Sequence, residues 1–185
     1  MTTLYTPESA PEDAREILDG IQSRMGGLLP NLYRQMAAAP PVLEAYLAMQ
    51  GFLGKTSFSP AEQQLIFMTA SARNGCVYCV AAHSSGARMA KLDKPVIEAI
   101  RSGALIEDAR LQALRAFVEA AMDSRGKIPS SVKEDFHRAG FSEEQAMEAL
   151  IGIAAKALSN TFARMFETPL DDFLARMEWQ GNDRV

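Results

Sequence analysis

The stretch Asn74-Gly75-Cys76-Val77-Tyr78-Cys79-Val80-Ala81-Ala82-His83 decides how this chain is read. Gly75 breaks a helix arriving from upstream, and Cys76 stands at or just before the start of the next one. Placed on a helix at about 100° per residue, His83 falls within ~20° of Cys76 and ~40° of Cys79. The only two cysteines of the chain and one of its two histidines thus share one helical face.

Outward from this stretch, the helix punctuation is legible on both sides. Ser9-x-x-Glu12, Ser59-x-x-Glu62, Ser131-x-x-Glu134, Ser142-x-x-Gln145 and Thr168-x-x-Asp171 match the capping box, in which a hydroxyl and a carboxylate or amide satisfy the first free N–H groups of a helix. Pro60 and Pro169 follow at the first helical position, where a missing N–H costs nothing. Gly103, Gly126 and Gly140 stand where helices should stop. Alternating β-branched runs are absent. The pattern predicts helices over about 10–25, 30–38, 41–53, 60–73, 76–91, 94–102, 107–124, 130–139, 143–166 and 169–178, followed by a frayed tail from Gln180. The fold class is all-α: a single-domain helical bundle over residues 1–185.

The segment from Ala146 to Phe166 is apolar on most sides, interrupted by Lys156 and Asn160. A helix apolar all round is either threaded through the core or shared with another subunit. The second option predicts a homo-oligomer.

Composition excludes several classes of function. With 48% hydrophobic and 23% charged residues the chain is ordinary for a globular protein. A net charge of -4 and scattered basic residues leave no electrostatic footprint for nucleic acid or an anionic membrane. The N-terminal residues lack a basic region followed by an apolar one, and the longest apolar stretch is too short to span a bilayer. These features predict a cytoplasmic protein, where a CxxC pair does metal or redox work rather than serving as a permanent staple.

A nucleophilic cysteine must be a thiolate, and an ordinary thiol is only ~3% ionised at pH 7. Two levers are visible here. The positive end of the helix dipole faces the pair, and His83 can accept the thiol proton and stay beside the thiolate as imidazolium. An oxidised product on one sulfur can be captured by the other as a disulfide. Cys79, nearer His83, is then the attacking thiol. Cys76, nearer the helix end and solvent, is the resolving one.

The pair admits other readings. Structural zinc needs four ligands, and beyond Cys76, Cys79 and His83 only His137 remains as a nitrogen donor, on a polar segment that reads as surface. Attachment of c-type haem needs a histidine directly after the second cysteine, where Val80 stands. Inert core thiols are the remaining alternative.

The string Cys76-Val77-Tyr78-Cys79-Val80-Ala81-Ala82-His83, preceded by Ser59-Pro60-Ala61-Glu62-Gln63-Gln64-Leu65, resembles the carboxymuconolactone decarboxylase-like superfamily, and within it the alkylhydroperoxidase D branch. Leu158-Ser159-Asn160 and Thr168-Pro169-Leu170-Asp171 are similar to the C-terminal part of such chains. The resemblance extends from about Pro40 onward, with its core over about 40–125. It implies an all-helical fold assembled as a homo-oligomer, a trimer or hexamer. It also implies a peroxidase-type oxidoreductase that works without haem, flavin or any other cofactor and without a metal. Cys79 would attack a peroxide, or exchange with a small disulfide, Cys76 would close the intramolecular disulfide, and an external dithiol would reduce it. In the family's best-known systems that dithiol is a lipoylated protein.

Two positions depart from the branch's pattern. Where its proton relay has a glutamate, twelve residues before the first cysteine, this chain has Gln64, which takes no proton near neutral pH but can orient His83 or a water. Glu62 is close by, with capping Ser59 as its expected task. The histidine between the cysteines is replaced by Tyr78, whose phenol can donate a hydrogen bond to a peroxide or thiolate, or whose ring can pack against a neighbouring helix. The alternatives to the thiol peroxidase are a lactone decarboxylase of the same superfamily and a non-enzymatic thiol sensor or zinc-binding protein.

Overall fold

A computed structural model describes residues 3–181. These residues hold helices α1 (Glu12–Arg24), α2 (Asn31–Met36), α3 (Pro40–Leu53), α4 (Pro60–Arg73), α5 (Val77–Met89), α6 (Lys94–Ser102), α7 (Ala109–Asp123), α8 (Ser130–Arg138) and α9 (Glu143–Met165), then a 3-10 helix (Asp172–Met177). No strand occurs among the described residues. Part of the expected frayed tail, residues 182–185, lies outside them.

α4 runs through the centre, packed against α5, α6, α7 and α9. Its start is fixed locally. Ser59 Oγ accepts from the Glu62 N–H at 3.3 Å, Glu62 Oε2 accepts from the Ser59 N–H at 2.8 Å, and Pro60 occupies the first turn. Such a cap is worth about 1 kcal/mol. Arg110 also reaches Glu62 at 3.1 Å, so this carboxylate is fully engaged away from the cysteines. α4 ends in a Schellman motif. Gly75 adopts φ 63°, the Gly75 N–H bonds Ala72 O at 3.1 Å, and the Cys76 N–H bonds Ser71 O at 3.0 Å. Cys76 is at once the last residue of that motif and the N-cap of α5, which sets the position of the pair to within one residue.

The core has two parts. One joins α4, α6, α7 and α8, with Phe136 stacked between Phe117 at 4.3 Å and Phe141 at 4.6 Å. The other joins α1, α2, α3, α5 and α9 and includes Cys76, Tyr78 and Cys79. α9 crosses α4 at Gly152, where an added Cβ would meet Ile66 Cγ2 at 2.6 Å. Asn160, further along α9, donates to Ala70 O at 3.4 Å and accepts from Ser71 Oγ at 3.3 Å, a second tie to α4.

Two expectations are corrected. The segment over 169–178 is not an α-helix: Thr168 bonds Gln35, Asp171 bonds the Asn31 N–H at 2.9 Å, and only Asp172–Met177 coil as 3-10. Capping boxes form at Ser59 and Ser142 but not at Ser9, Ser131 or Thr168. Ser9 turns back on Thr6, and Pro129, not Ser131, caps α8. The other helices of the chain do not cover α9 all round. Met147, Leu150 and Met165 are 61%, 52% and 71% exposed.

Candidate active site

Both cysteines are free thiols and both are buried. Cys76 caps α5 with its side chain, its Sγ accepting from the Cys79 N–H at 3.3 Å. Cys79 lies one turn into the helix and forms part of the wall of a cavity of about 180 Å³; Cys76 is not part of that wall. The placement of Cys76 nearer to solvent is therefore corrected. The tight Gly75 turn folds it inward against the second core, and Cys79 is the sulfur that faces the cavity.

His83, one turn further on, also faces the cavity. Its Nδ1 pairs with Gln64 Oε1 at 3.1 Å, and its Nε2 lies 2.7 Å from Lys156 Nζ. The amide oxygen and the ammonium fix the tautomer: Nδ1 donates to Gln64 and Nε2 accepts from Lys156. Phe67 packs against the ring with centroids 4.7 Å apart. Burial, and then the Lys156 charge, hold the imidazole well below its ordinary pKa. The reading of His83 as an imidazolium beside the thiolate is thus corrected: the ring is neutral and both nitrogens are engaged. Gln64 does orient His83. Its amide also touches α5 closely, since a Cβ at Gly86 would come within 2.7 Å of Gln64 Oε1.

The positive charge of the site belongs to Lys156, read from the sequence only as an interruption in an apolar helix. Its side chain is fully buried, its ammonium donates to Tyr46 Oη at 3.0 Å, and it lies over the Tyr46 and Phe67 rings at 5.2 and 5.1 Å. A signal for it existed. Ala149, Gly152, Ala155, Ser159, Asn160 and Ala163 form the small-residue stripe that packs inward, and Lys156 falls on it at helical spacing.

The two thiols differ electrostatically. Burial resists ionisation of Cys79, but hydrogen bonding from Cys76, the Lys156 charge and the Ser159 hydroxyl together outweigh it and bring the pKa down. Cys76 is pushed up, first by its hydrogen bond to Cys79, then by burial and by the charge on Cys79. The Ser159 hydroxyl is buried with no fixed hydrogen-bond partner, so it is free to turn toward either Cys79 or Tyr46. The arrangement favours one thiolate, Cys79, supported by one thiol, Cys76.

Tyr78 faces the cavity with its ring, but its phenol is engaged elsewhere. It donates to Asp171 Oδ2 at 2.7 Å and accepts from the Leu32 N–H at 3.3 Å. Burial, then the Asp171 charge, push its pKa up. Asp171 itself is held above the usual carboxylate range, chiefly by burial. This buried pair pins the C-terminal segment over the cavity, where Phe173 and Leu174 complete the wall. Arg101 secures the far end, donating to Met177 O at 3.1 Å and Glu178 O at 2.7 Å. Met25, Pro30, Leu32 and Met89 supply a largely apolar lining, to which Tyr33, Gln50 and Ser85 add polar groups. His137, the remaining nitrogen donor, sits on α8 with Nδ1 on Phe141 O at 3.0 Å and Nε2 3.3 Å from Glu143, outside this cavity.

Residues 40–121 match the family model described as carboxymuconolactone decarboxylase family. Solved structures share the fold. A peroxidase-related protein with an alkylhydroperoxidase AhpD core from Ralstonia eutropha JMP134 is 23% identical, with 93% of this chain and 92% of that one covered and a TM-score of 0.77. A peroxidase-related protein from Silicibacter sp. TM1040 is 21% identical, with 93% and 91% covered and a TM-score of 0.78. The debrominase Bmp8 is 20% identical, with 96% and 95% covered and a TM-score of 0.78, and a cysteine-to-alanine form of it has been solved with 2,3,4-tribromopyrrole. No curated protein matches the sequence.

Proposed function

We propose that this chain, whose residues 40–121 match the carboxymuconolactone decarboxylase family and whose fold is alkylhydroperoxidase D-like, is a thiol oxidoreductase that reduces an organic hydroperoxide through Cys79 and Cys76. The observation that carries this reading is the asymmetry of the pair. Cys79 faces the cavity beside a buried ammonium and Cys76 stands behind it as a thiol. The Cys79 sulfur attacks the peroxide, Cys76 displaces the oxygen from the resulting sulfenic acid, and an external dithiol, of the kind a lipoylated protein carries, reopens the disulfide. Gln64 orients His83, His83 accepts a hydrogen bond from Lys156, and Tyr78 holds the cavity closed. The apolar lining favours an organic substrate over hydrogen peroxide.

The exposed apolar side chains of α9, continued by the 56% exposed Phe52 of α3, support a homo-oligomer in which this face is covered by a second copy. No helix among the described residues is long and apolar enough to cross a membrane. We place the protein in the cytoplasm, where a dithiol reductant is available.

Consumption of cumene hydroperoxide with dithiothreitol as reductant tests this function. Cys79→Ser should abolish turnover. Cys76→Ser should allow one stoichiometric reaction and leave a sulfenic acid that dimedone traps. Unchanged turnover in Cys79→Ser would refute the assignment.

The likeness to a debrominase favours one second reading. The same thiolate and thiol can deliver two electrons to a carbon–halogen bond, yielding R–H, halide and the disulfide in balance. Halide release from a brominated pyrrole, without hydroperoxide consumption, would select it.

A further inference from the structure

Closing a disulfide between Cys79 and Cys76 removes a negative charge from the cavity and leaves Lys156 facing neutral groups. The ammonium is fully buried, and its hydrogen-bond partners, His83 Nε2 at 2.7 Å and Tyr46 Oη at 3.0 Å, are neutral. Among the described residues no carboxylate pairs with it. An ammonium carries three N–H donors. Two are accounted for, the third has no acceptor among the described residues, and Lys156 shares the cavity wall with Cys79. Two other proton carriers of the cavity are committed. The His83 Nδ1–H is held by Gln64, and the Tyr78 phenol by Asp171.

We propose that Lys156 is the acid of this site, giving its proton to the oxygen that leaves when Cys79 attacks a hydroperoxide and remaining neutral for as long as the disulfide lasts. The inference rests on the thiol-peroxidase reading of the cysteine pair. In the first step the Cys79 thiolate bonds to the terminal oxygen of ROOH, the O–O bond breaks, and the departing RO oxygen takes its electron pair and the Lys156 proton to leave as ROH. In the second, Cys76 sulfur bonds to Cys79 sulfur, and the expelled hydroxide takes the Cys76 proton and leaves as water. Thiolate, thiol, ammonium and hydroperoxide become disulfide, amine, alcohol and water, with net charge zero on both sides. The external dithiol restores the thiolate, the thiol and the ammonium proton together. The cavity therefore stays electroneutral in both redox states, the cheapest arrangement for charges taken out of water. Burial presses the Lys156 pKa down and the charge on Cys79 opposes it, so losing that charge leaves burial less opposed.

The test is the proton stoichiometry of a single oxidation. Fully reduced protein in weak buffer at about pH 7, where a free lysine is charged, is mixed with one equivalent of cumene hydroperoxide. An indicator dye reports protons, absorbance at the thiolate band reports Cys79, and a thiol count reports the disulfide. The expected result is loss of the thiolate band and of both thiols with no proton uptake. Uptake of one proton per disulfide would show that Lys156 stays charged and would overturn the acid role alone. An unchanged thiol count would instead overturn the thiol reading and this proposal with it. A second arm separates charge from acidity. A guanidinium keeps the charge but gives up no proton near neutrality, so Lys156→Arg should keep the thiolate band, oxidise about a hundredfold more slowly, and take up one proton per disulfide. Oxidation of Lys156→Arg at the wild-type rate would overturn the proposal.

Discussion

Acidification from pH 7 to 5 is expected to cost about 2 kcal/mol of folding stability through His83 alone. The ring is enclosed by Gln64 Oε1 at 3.1 Å, Lys156 Nζ at 2.7 Å and the Phe67 face. Protonating Nε2 would set an N–H against an ammonium and add a second buried positive charge, so the native imidazole stays neutral, well below its ordinary pKa. In the unfolded chain the same residue titrates near 6.5. Above that value neither state gains a proton, and the contribution to stability is fully present. Below it, the unfolded chain binds a proton that the native protein refuses, and stability falls with pH. The loss follows RT ln(1 + 10^(6.5 − pH)), which is about 0.2 kcal/mol at pH 7 and about 2 kcal/mol at pH 5. Urea unfolding followed by circular dichroism at several pH values reads this directly. His83→Gln removes the titrating group while keeping an amide to meet Lys156 and Gln64. The variant starts less stable but should lose about 2 kcal/mol less than the wild type over the same interval. Groups other than His83 are common to both proteins and cancel. Parallel pH profiles would refute the account of a neutral, enclosed His83.

Other perturbations test the positions around it. Gly86→Ala puts a Cβ within 2.7 Å of Gln64 Oε1 and 3.0 Å of its Cδ, so the amide must move off His83; the fold should persist while the rate of Cys79 alkylation falls on the order of tenfold. Gly152→Ala drives a Cβ to 2.6 Å from Ile66 Cγ2 at the α4–α9 crossing, and chemical denaturation should show a loss of about 1–3 kcal/mol. Tyr78→Phe removes the 2.7 Å bond to the buried Asp171 carboxylate and the acceptor of the Leu32 N–H. It should cost about 1–3 kcal/mol and speed proteolysis after α9, while leaving the Cys79 thiolate in place.

Much of this fold is written in local chemistry, and what escaped the sequence reading is non-local. The start of α4 follows from Ser59, Pro60 and Glu62, and the α4–α5 junction from Gly75, because each is settled by neighbours three to five residues away. The same pattern misled at Thr168, whose hydroxyl goes to Gln35, a residue far off in sequence, and at Asp171, whose carboxylate serves Asn31 and Tyr78 instead of a helix start. The CxxC pair and His83 were visible as a constellation, and Gln64 as the group that would orient the ring. What supplies the charge was not. Lys156 stands 73 positions from His83, and Tyr46 stands 110 positions from Lys156. Only the packing of α3, α5 and α9 around one cavity brings them together. A lysine on the inward, small-residue stripe of an apolar helix was the available clue, and helical spacing alone would have flagged it.

The central claim is that Cys79 is the activated thiol and Cys76 its reserve. Rapid alkylation of the reduced protein across a pH series, with each cysteine peptide quantified separately by mass spectrometry, measures both ionisations in one experiment. The account predicts that Cys79 titrates below the value of about 8.5 typical of a free thiol and that Cys76 titrates above it. A Cys79 that titrates at or above that value, or a Cys76 that ionises first, would contradict it.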